Sequence, residues 1–310
     1  MTYYFGSGPY CYSNSFAMMM GEHAPATAVL ETLTGSPFGM QYLGGGIDTF
    51  FFDPYAWDPA EGFANVLAAT GWTSETASGG DAEAALDRLR AALAYGPVWI
   101  GPVEMGHLRH QPGMTGPIGA DHYVVVLEAD DETVLMHDPQ GHPYVAMPTT
   151  PFMRAWAKET VGYGEPYSMR WGFTRVEEVD EVTALHRGLP EAATWLAGKD
   201  LPAPPGSLAN GDAAEALAAL ADDGLKPGLR GHLAHFAVRV GARRLDDGAR
   251  SLRRAGHETA AAVMTRQARL VGGLQYPVIA KDDAAVARGL RELATTYPEL
   301  SAALATSFGS

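Results

Sequence analysis

Cys11, His122 and Asp138 are the residues of this chain whose types and spacing suit nucleophilic acyl chemistry. Cys11 is the single cysteine and lies in SGPYCYSNSFAMMMGE, residues 7–22. A thiol attacks as the thiolate, and an ordinary cysteine with a pKa of about 8.5 is only slightly ionised at neutral pH. A helix N-terminus lowers that value, because its unpaired N–H groups and its dipole favour the anion. Gly8 and Pro9 mark a turn, and Ser13 and Asn14 are capping types ahead of the apolar run Phe16 to Met20. The pattern predicts a helix starting beside the thiol. An adjacent histidine would take the thiol proton, and a carboxylate behind it would orient the ring.

Of ten histidines, His122 stands apart because it opens the strand HYVVVLEA directly after a Gly- and Pro-rich loop. Asp138 ends the next strand, TVLMHDP, before Pro139. If the chain reverses at ADDE, the start of the first strand lies beside the end of the second, and His122 meets Asp138. His137 alternates to the opposite face and is left out. Each residue also has a plain structural reading. Cys11 would be a small buried hydrophobe, His122 a strand-end donor to a loop carbonyl, and Asp138 a cap on the turn at Pro139.

The elements needed to position these residues are legible along the first half. SNSFAMMMGE and ATAVLETLTG read as short helices, the second stopped by Gly35. FGMQYLGGGIDTFFFDP carries strand formers around three glycines. PAEGFANVLAATGW and DAEAALDRLRAALAYG are helical, GPVWIGPVE is a strand, and DHYVVVLEADDETVLMHDPQGHPYVAM holds two or three strands with turns at ADDE and PQGH. TTPFMRAWAKE reads as a helix and YSMRWGFTRVEEV as a returning strand. From about residue 180 the texture becomes Ala-, Leu- and Arg-rich with helical spacing, interrupted by LPAPPGSLANGD, a linker or long loop. The expected organisation is an α+β domain over 1–178 and a helical domain over 179–310.

The 310 residues include 46% hydrophobic and 19% charged positions, as a folded domain requires. No apolar run approaches the ~20 residues that cross a bilayer. The start, MTYYFGSGPY, has neither the basic nor the apolar region of a secretory signal. One cysteine allows no internal disulfide and suits a reducing cytoplasm. The 36 acidic and 22 basic residues give a formal charge of −14, which disfavours nucleic acid and anionic membranes as partners and suits a cationic small molecule. RVGARRLDDGARSLRRAG is the one Arg-rich stretch, interrupted by Asp246 and Asp247, and reads as a solvated helix face.

Cys11 before a helix, His122 heading an apolar strand and HDP closing the next strand together resemble the papain-like cysteine fold. Within it, the segments FGMQYLGGGIDTFFFDP, LAYGPVWIGPVEMGHL and DHYVVVLEADDETVLMHDPQG are similar, in order, to the butirosin-biosynthesis H-type acyltransferase family, related to C39-type peptidases. The likeness covers roughly residues 3–175. The resemblance implies a papain-like α+β domain followed by a helical one. It implies Cys11 as nucleophile, His122 as general base and then acid, and Asp138 as the orienting carboxylate. It further implies an acyl donor carried as a thioester on an acyl-carrier protein or coenzyme A, and a small-molecule amine as acceptor, in specialised metabolism. No cofactor and no metal are implied.

One feature departs from that pattern. Papain-like peptidases carry a glutamine upstream of the cysteine that donates to the oxyanion, whereas YYFGSGPY has no Gln, Asn or His. The candidate donors are then the Cys11 N–H with Tyr4, Ser13 or Asn14. Losing a side-chain oxyanion donor costs about 10²–10³ in rate, which weighs against peptide hydrolysis more than against transfer from an activated thioester.

Glu104, at the end of GPVWIGPVE, is a candidate for binding a substrate amine, or a solvated strand-end carboxylate. HLRH (107–110) and HLAH (232–235) have the spacing of paired metal ligands but lack a third ligand in sequence. The triple glycine lacks the Lys-Ser/Thr ending of a phosphate loop and reads as backbone passing close to the cleft.

The sequence therefore predicts a cysteine acyltransferase, or an amide-forming cyclase, working through a Cys11 thioester. A hydrolase (peptidase, amidase or thioesterase) with the same triad is the alternative, separated by products formed with and without amine. A non-catalytic binding module on this scaffold is the third, separated by an ordinary thiol pKa. Ala-rich helices such as DAAEALAALADD suit either packing within the chain or a homo-oligomer.

Overall fold

The computed structural model describes residues 10–198 and 202–309. In chain order the elements are α1 (Cys11–Met20), α2 (Thr27–Leu33), β1 (Gln41–Leu43), β2 (Thr49–Phe51), α3 (Pro59–Thr70), β3 (Trp72–Ala77), α4 (Ala82–Leu93), β4 (Val98–Glu104), β5 (Asp121–Ala129), β6 (Thr133–Asp138), β7 (His142–Pro148), α5 (Thr149–Ala157) and β8 (Met169–Arg175). They continue with α6 (Glu181–Thr194), β9 (Leu208–Ala209), α7 (Asn210–Asp222), α8 (Pro227–His232), α9 (Val238–Arg254), α10 (Glu258–Gly273), α11 (Gln275–Ala280) and α12 (Asp283–Phe308). A π-helical turn over Leu233–Ala237 joins α8 to α9.

The chain divides into two compact units, and the division is discontinuous. Among the described residues, one unit takes 10–27 and 71–178; the other takes 28–70, 179–198 and 202–309. The expected split by sequence order, 1–178 against 179–310, is corrected here. Residues 28–70 group with the C-terminal helices, because their buried side chains bond to helices far along the chain.

The first unit is built on a six-stranded antiparallel sheet in the order β3-β8-β4-β5-β6-β7. Its β5–β6 hairpin forms because Asp130 caps its own turn: its Oδ1 accepts the N–H groups of Glu132 and Thr133 at 2.8 and 2.7 Å. Alternation divides the sheet into two faces. Val98, Ile100, Val124, Val126 and Met136 pack with Phe152 and Trp156 of α5 and Leu89 of α4 in a buried apolar core. On the other face α1 packs through aromatic edges, Phe16 against Trp99 and Phe173 at ring-centre distances of 4.9 and 5.2 Å. Burying side chains of this size stabilises the unit by about 1.5–3 kcal/mol each. Gly101 sits where β4 bulges, and a Cβ there would lie 2.1 Å from the Tyr123 ring. β3 had no counterpart in the sequence reading: WTSETA alternates exposed polar residues and has little apolar signal.

The second unit packs α9 against α10 and α7 against α12, with a small sheet β2-β1-β9. Ala213, Ala214, Leu217 and Ala218 of α7 are buried within the chain. The stretch read as a linker ends in order, with Leu208 and Ala209 pairing to Tyr42 and Gln41. The triple glycine forms the β1–β2 hairpin tip, where a Cβ on Gly44 would lie 2.6 Å from the Pro205 carbonyl, so backbone passes close to that stretch. One further expectation is corrected in this unit. The Arg-rich α9 is not simply a solvated face. Arg244, 6% exposed, bonds Glu31 at 2.7 Å and Asp53 at 3.0 Å.

Candidate active site

His122 and Asp138 are brought together by strand register. Val126 lies opposite Met136 and Val125 opposite His137 in the β5–β6 ladder. Counting back on the Val126 face gives Val124 and then His122; counting forward on the Met136 face gives Asp138. The two side chains are therefore diagonal neighbours on one face. His122 Nε2 lies 2.8 Å from Asp138 Oδ1, with the two side chains 1% and 0% exposed. His137 points the other way, its Nδ1 accepting the Tyr144 N–H at 3.1 Å.

Asp138 has more partners than the sequence indicated. Its Oδ1 also accepts the Gln140 N–H at 2.8 Å. Its Oδ2 pairs with His110 Nε2 at 2.7 Å and accepts from Gln111 Nε2 at 2.6 Å. Burial alone would raise the carboxyl pKa, but the hydrogen bonds from His110 and His122, the charge of His122 and the Gln140 N–H outweigh it. The group is held well below the ordinary carboxylate range. An ionised Asp138 accepts only, so each imidazole must present Nε2–H to it. For His122 this leaves Nδ1 as the nitrogen that carries basicity.

The sequence reading missed His110 and Gln111, and treated HLRH only as possible metal ligands. Topology held the clue. Glu104 pairs with Asp121 across β4 and β5, so the loop leaving β4 must pass beside the first residues of β5. That loop is tight: a Cβ on Gly106 would sit 1.9 Å from the Gly116 carbonyl. Glu104 anchors it, its carboxylate accepting the N–H groups of Gly106, Ile118 and Gly119, each at 3.0 Å, and the Thr160 hydroxyl. Burial alone would raise its carboxyl pKa; these donors outweigh that and lower it. Glu104 is 1% exposed, so its expected place facing an open cleft is corrected to a loop anchor with its oxygens already engaged.

Cys11 is the first residue of α1, not the residue before it. Ser13 and Asn14, expected as caps, lie inside the first turn, and the N-cap is Tyr10 with no side-chain cap bond. The first helical bond runs from the Asn14 N–H to the Tyr10 carbonyl at 2.9 Å. The thiol is thus borne at the positive end of the α1 dipole, and the first turn has no acidic residue to oppose an anion. Cys11 is partly exposed and Ser13 is buried. Tyr4 lies outside the described residues.

The helix reaches the His122 end of β5. Tyr12 meets Tyr123 edge-on at 5.9 Å, and Ser15 Oγ donates to the Tyr123 carbonyl at 3.3 Å. Cys11 and His122 are therefore each one residue from a shared contact, reached from the α1 face and the core face respectively. Beside them the Tyr163 hydroxyl donates to Asp121 Oδ2 at 2.7 Å and lies 3.1 Å from the Tyr123 hydroxyl.

Among the described residues no three His, Cys, Asp or Glu side chains could share one metal ion. The two HxxH pairs are used otherwise. His110 is on Asp138, and His232 Nε2 donates to the Phe50 carbonyl at 2.7 Å, burial lowering its pKa. No described helix is long and apolar enough to cross a membrane.

Fold and site thus define a mixed α+β chain, with antiparallel sheets and a helical C-terminal part, that holds a buried carboxylate between two imidazoles. The comparisons with known proteins fall on the helical part and on one relative. The family described as the YobF C-terminal domain matches residues 203–305, the stretch containing α7 to α11 and most of α12. The uncharacterized protein YobF of Bacillus subtilis (strain 168) is 32% identical over 177 residues, which cover 55% of this chain and 55% of that protein. The chain therefore spans about half the length of the curated relative it matches.

Proposed function

We propose that the protein is a cysteine-dependent acyltransferase of papain-like architecture. The observation that carries this reading is the buried His122–Asp138 bond, which fixes an imidazole with Nδ1 as its basic nitrogen at the end of the sheet to which the Cys11 end of α1 is packed. In the proposed reaction His122 Nδ1 takes the Cys11 proton, and the thiolate attacks a donor thioester carbonyl. The tetrahedral oxyanion is met by the Cys11 N–H, with Asn14 or Ser13 as second donor. Collapse expels the donor thiol, protonated by His122, and leaves a Cys11 thioester. An amine then attacks, His122 takes its proton, and the acyl group leaves as an amide while the Cys11 thiol is restored.

The donor class is a thioester of an acyl-carrier protein or coenzyme A. The acceptor is a small-molecule amine, suited to the net charge of −14. The setting is the reducing cytoplasm, where a lone thiol persists.

The test is mass spectrometry of the protein incubated with short acyl-CoA thioesters, then with and without alkylamines. We expect an acyl adduct on Cys11 and amide products. Retained turnover in Cys11→Ala overturns the assignment, and release of free acid alone in the presence of amine assigns a hydrolase.

A further inference from the structure

We infer that His110 is a positioning residue, which with Gln111 holds the outer oxygen of Asp138 so that the inner oxygen stays on the Nε2–H of His122. Its catalytic consequence rests on the function proposed above; its effect on His122 does not.

Asp138 is a short carboxylate at the end of a strand, and one torsion turns its two oxygens. Oδ1 holds His122, so any donor that fixes Oδ2 also fixes the plane in which His122 must lie. Two side-chain donors do this, at 2.7 and 2.6 Å, both from the loop leaving β4. Among the described residues His110 Nδ1 is buried with no hydrogen-bond partner, and the ring stands edge-on to His142 with centres 5.4 Å apart.

The ring makes its bond to the carboxylate through Nε2, so Asp138 is braced at Oδ2 by His110 and Gln111 and at Oδ1 by His122.

The test compares His110→Gln, which can offer an amide donor, with His110→Phe, which fills the space without one. Ring ¹⁵N NMR reports the His122 tautomer, and iodoacetamide reports Cys11 reactivity against pH. Wild type and His110→Gln should show the Nε2–H tautomer of His122. In His110→Phe the second tautomer should appear, with Cys11 alkylation near neutral pH falling about ten-fold, the scale of one charge-assisted hydrogen bond. If His110→Phe does not fold, Gln111→Leu removes the other donor and should move both signals the same way by less. Unchanged His122 signals in whichever variant folds overturn the inference. A His122 tautomer that responds to His110 beside a Cys11 of ordinary reactivity upholds the positioning role and overturns the proposed function. An activated Cys11 indifferent to His110 does the reverse.

Discussion

Two buried carboxylate clusters, one in each unit, differ in what holds them. In the helical unit Glu31 and Asp53 face Arg244, and Ser36 and Gln41 also donate to them, at 3.0 and 2.6 Å. In the sheet unit Asp138 faces two histidines, a glutamine and a backbone N–H. An arginine stays charged at any accessible pH and forms a fixed ion network. Imidazoles change protonation near neutrality, and their two nitrogens have separate roles. The first cluster is an ion network around an arginine, whereas the second joins a carboxylate to side chains of the type that can carry a proton.

The largest expected effect tests the fixed cluster. Arg244→Met leaves Glu31 and Asp53 buried without their cation and should cost about 3–5 kcal/mol in a denaturant titration, across the neutral range. A loss below about 1 kcal/mol would place the network among dispensable pairs and remove that side of the contrast.

Asp138→Asn tests the titratable cluster. The Asp138 pKa is depressed in the folded state, so its contribution is present above the ordinary value of 3.8 and is lost as pH falls through the folded value. Wild type should therefore exceed Asp138→Asn in stability above about pH 4, and the gap should close on further acidification. A gap that does not change with pH would mean that Asp138 contributes through packing alone.

Glu104→Gln should act locally. Amide exchange of Gly106, Ile118 and Gly119 should quicken about ten- to hundred-fold as their shared acceptor weakens. Unchanged exchange would remove Glu104 as the anchor of the loop that carries His110. The smallest effect is expected from the exposed Arg90–Asp131 pair, 2.6 Å apart on the surface: Arg90→Ala should leave the thermal midpoint unmoved.

The same contrast explains what the sequence could reveal. The β5–β6 hairpin was legible because Asp130 caps a turn between two apolar strands, and local chemistry fixes the His122–Asp138 diagonal. Near residue 180 the sequence turns Ala-, Leu- and Arg-rich with helical spacing, and there Asp180 caps α6 through the N–H groups of Val182 and Thr183. The grouping of residues 28–70 with the C-terminal helices was not legible, since it depends on Glu31 and Asp53 meeting an arginine about two hundred positions later. His110 and Gln111 sit in an irregular loop with no periodic signal, and acquire meaning only once Asp138 is beside them. Glu104 at a strand end looks alike in sequence whether it faces solvent or a folded loop.

The most direct measurement is the pH dependence of Cys11 alkylation by iodoacetamide in the native protein and in His122→Ala. A coupled thiol–imidazole pair predicts a thiol titrating well below the ordinary value of about 8.5, moving back up when the ring is removed. A thiol that reacts only above about pH 8 in both proteins would contradict it, leaving the His122–Asp138 bond as structure and the first turn of α1 as packing.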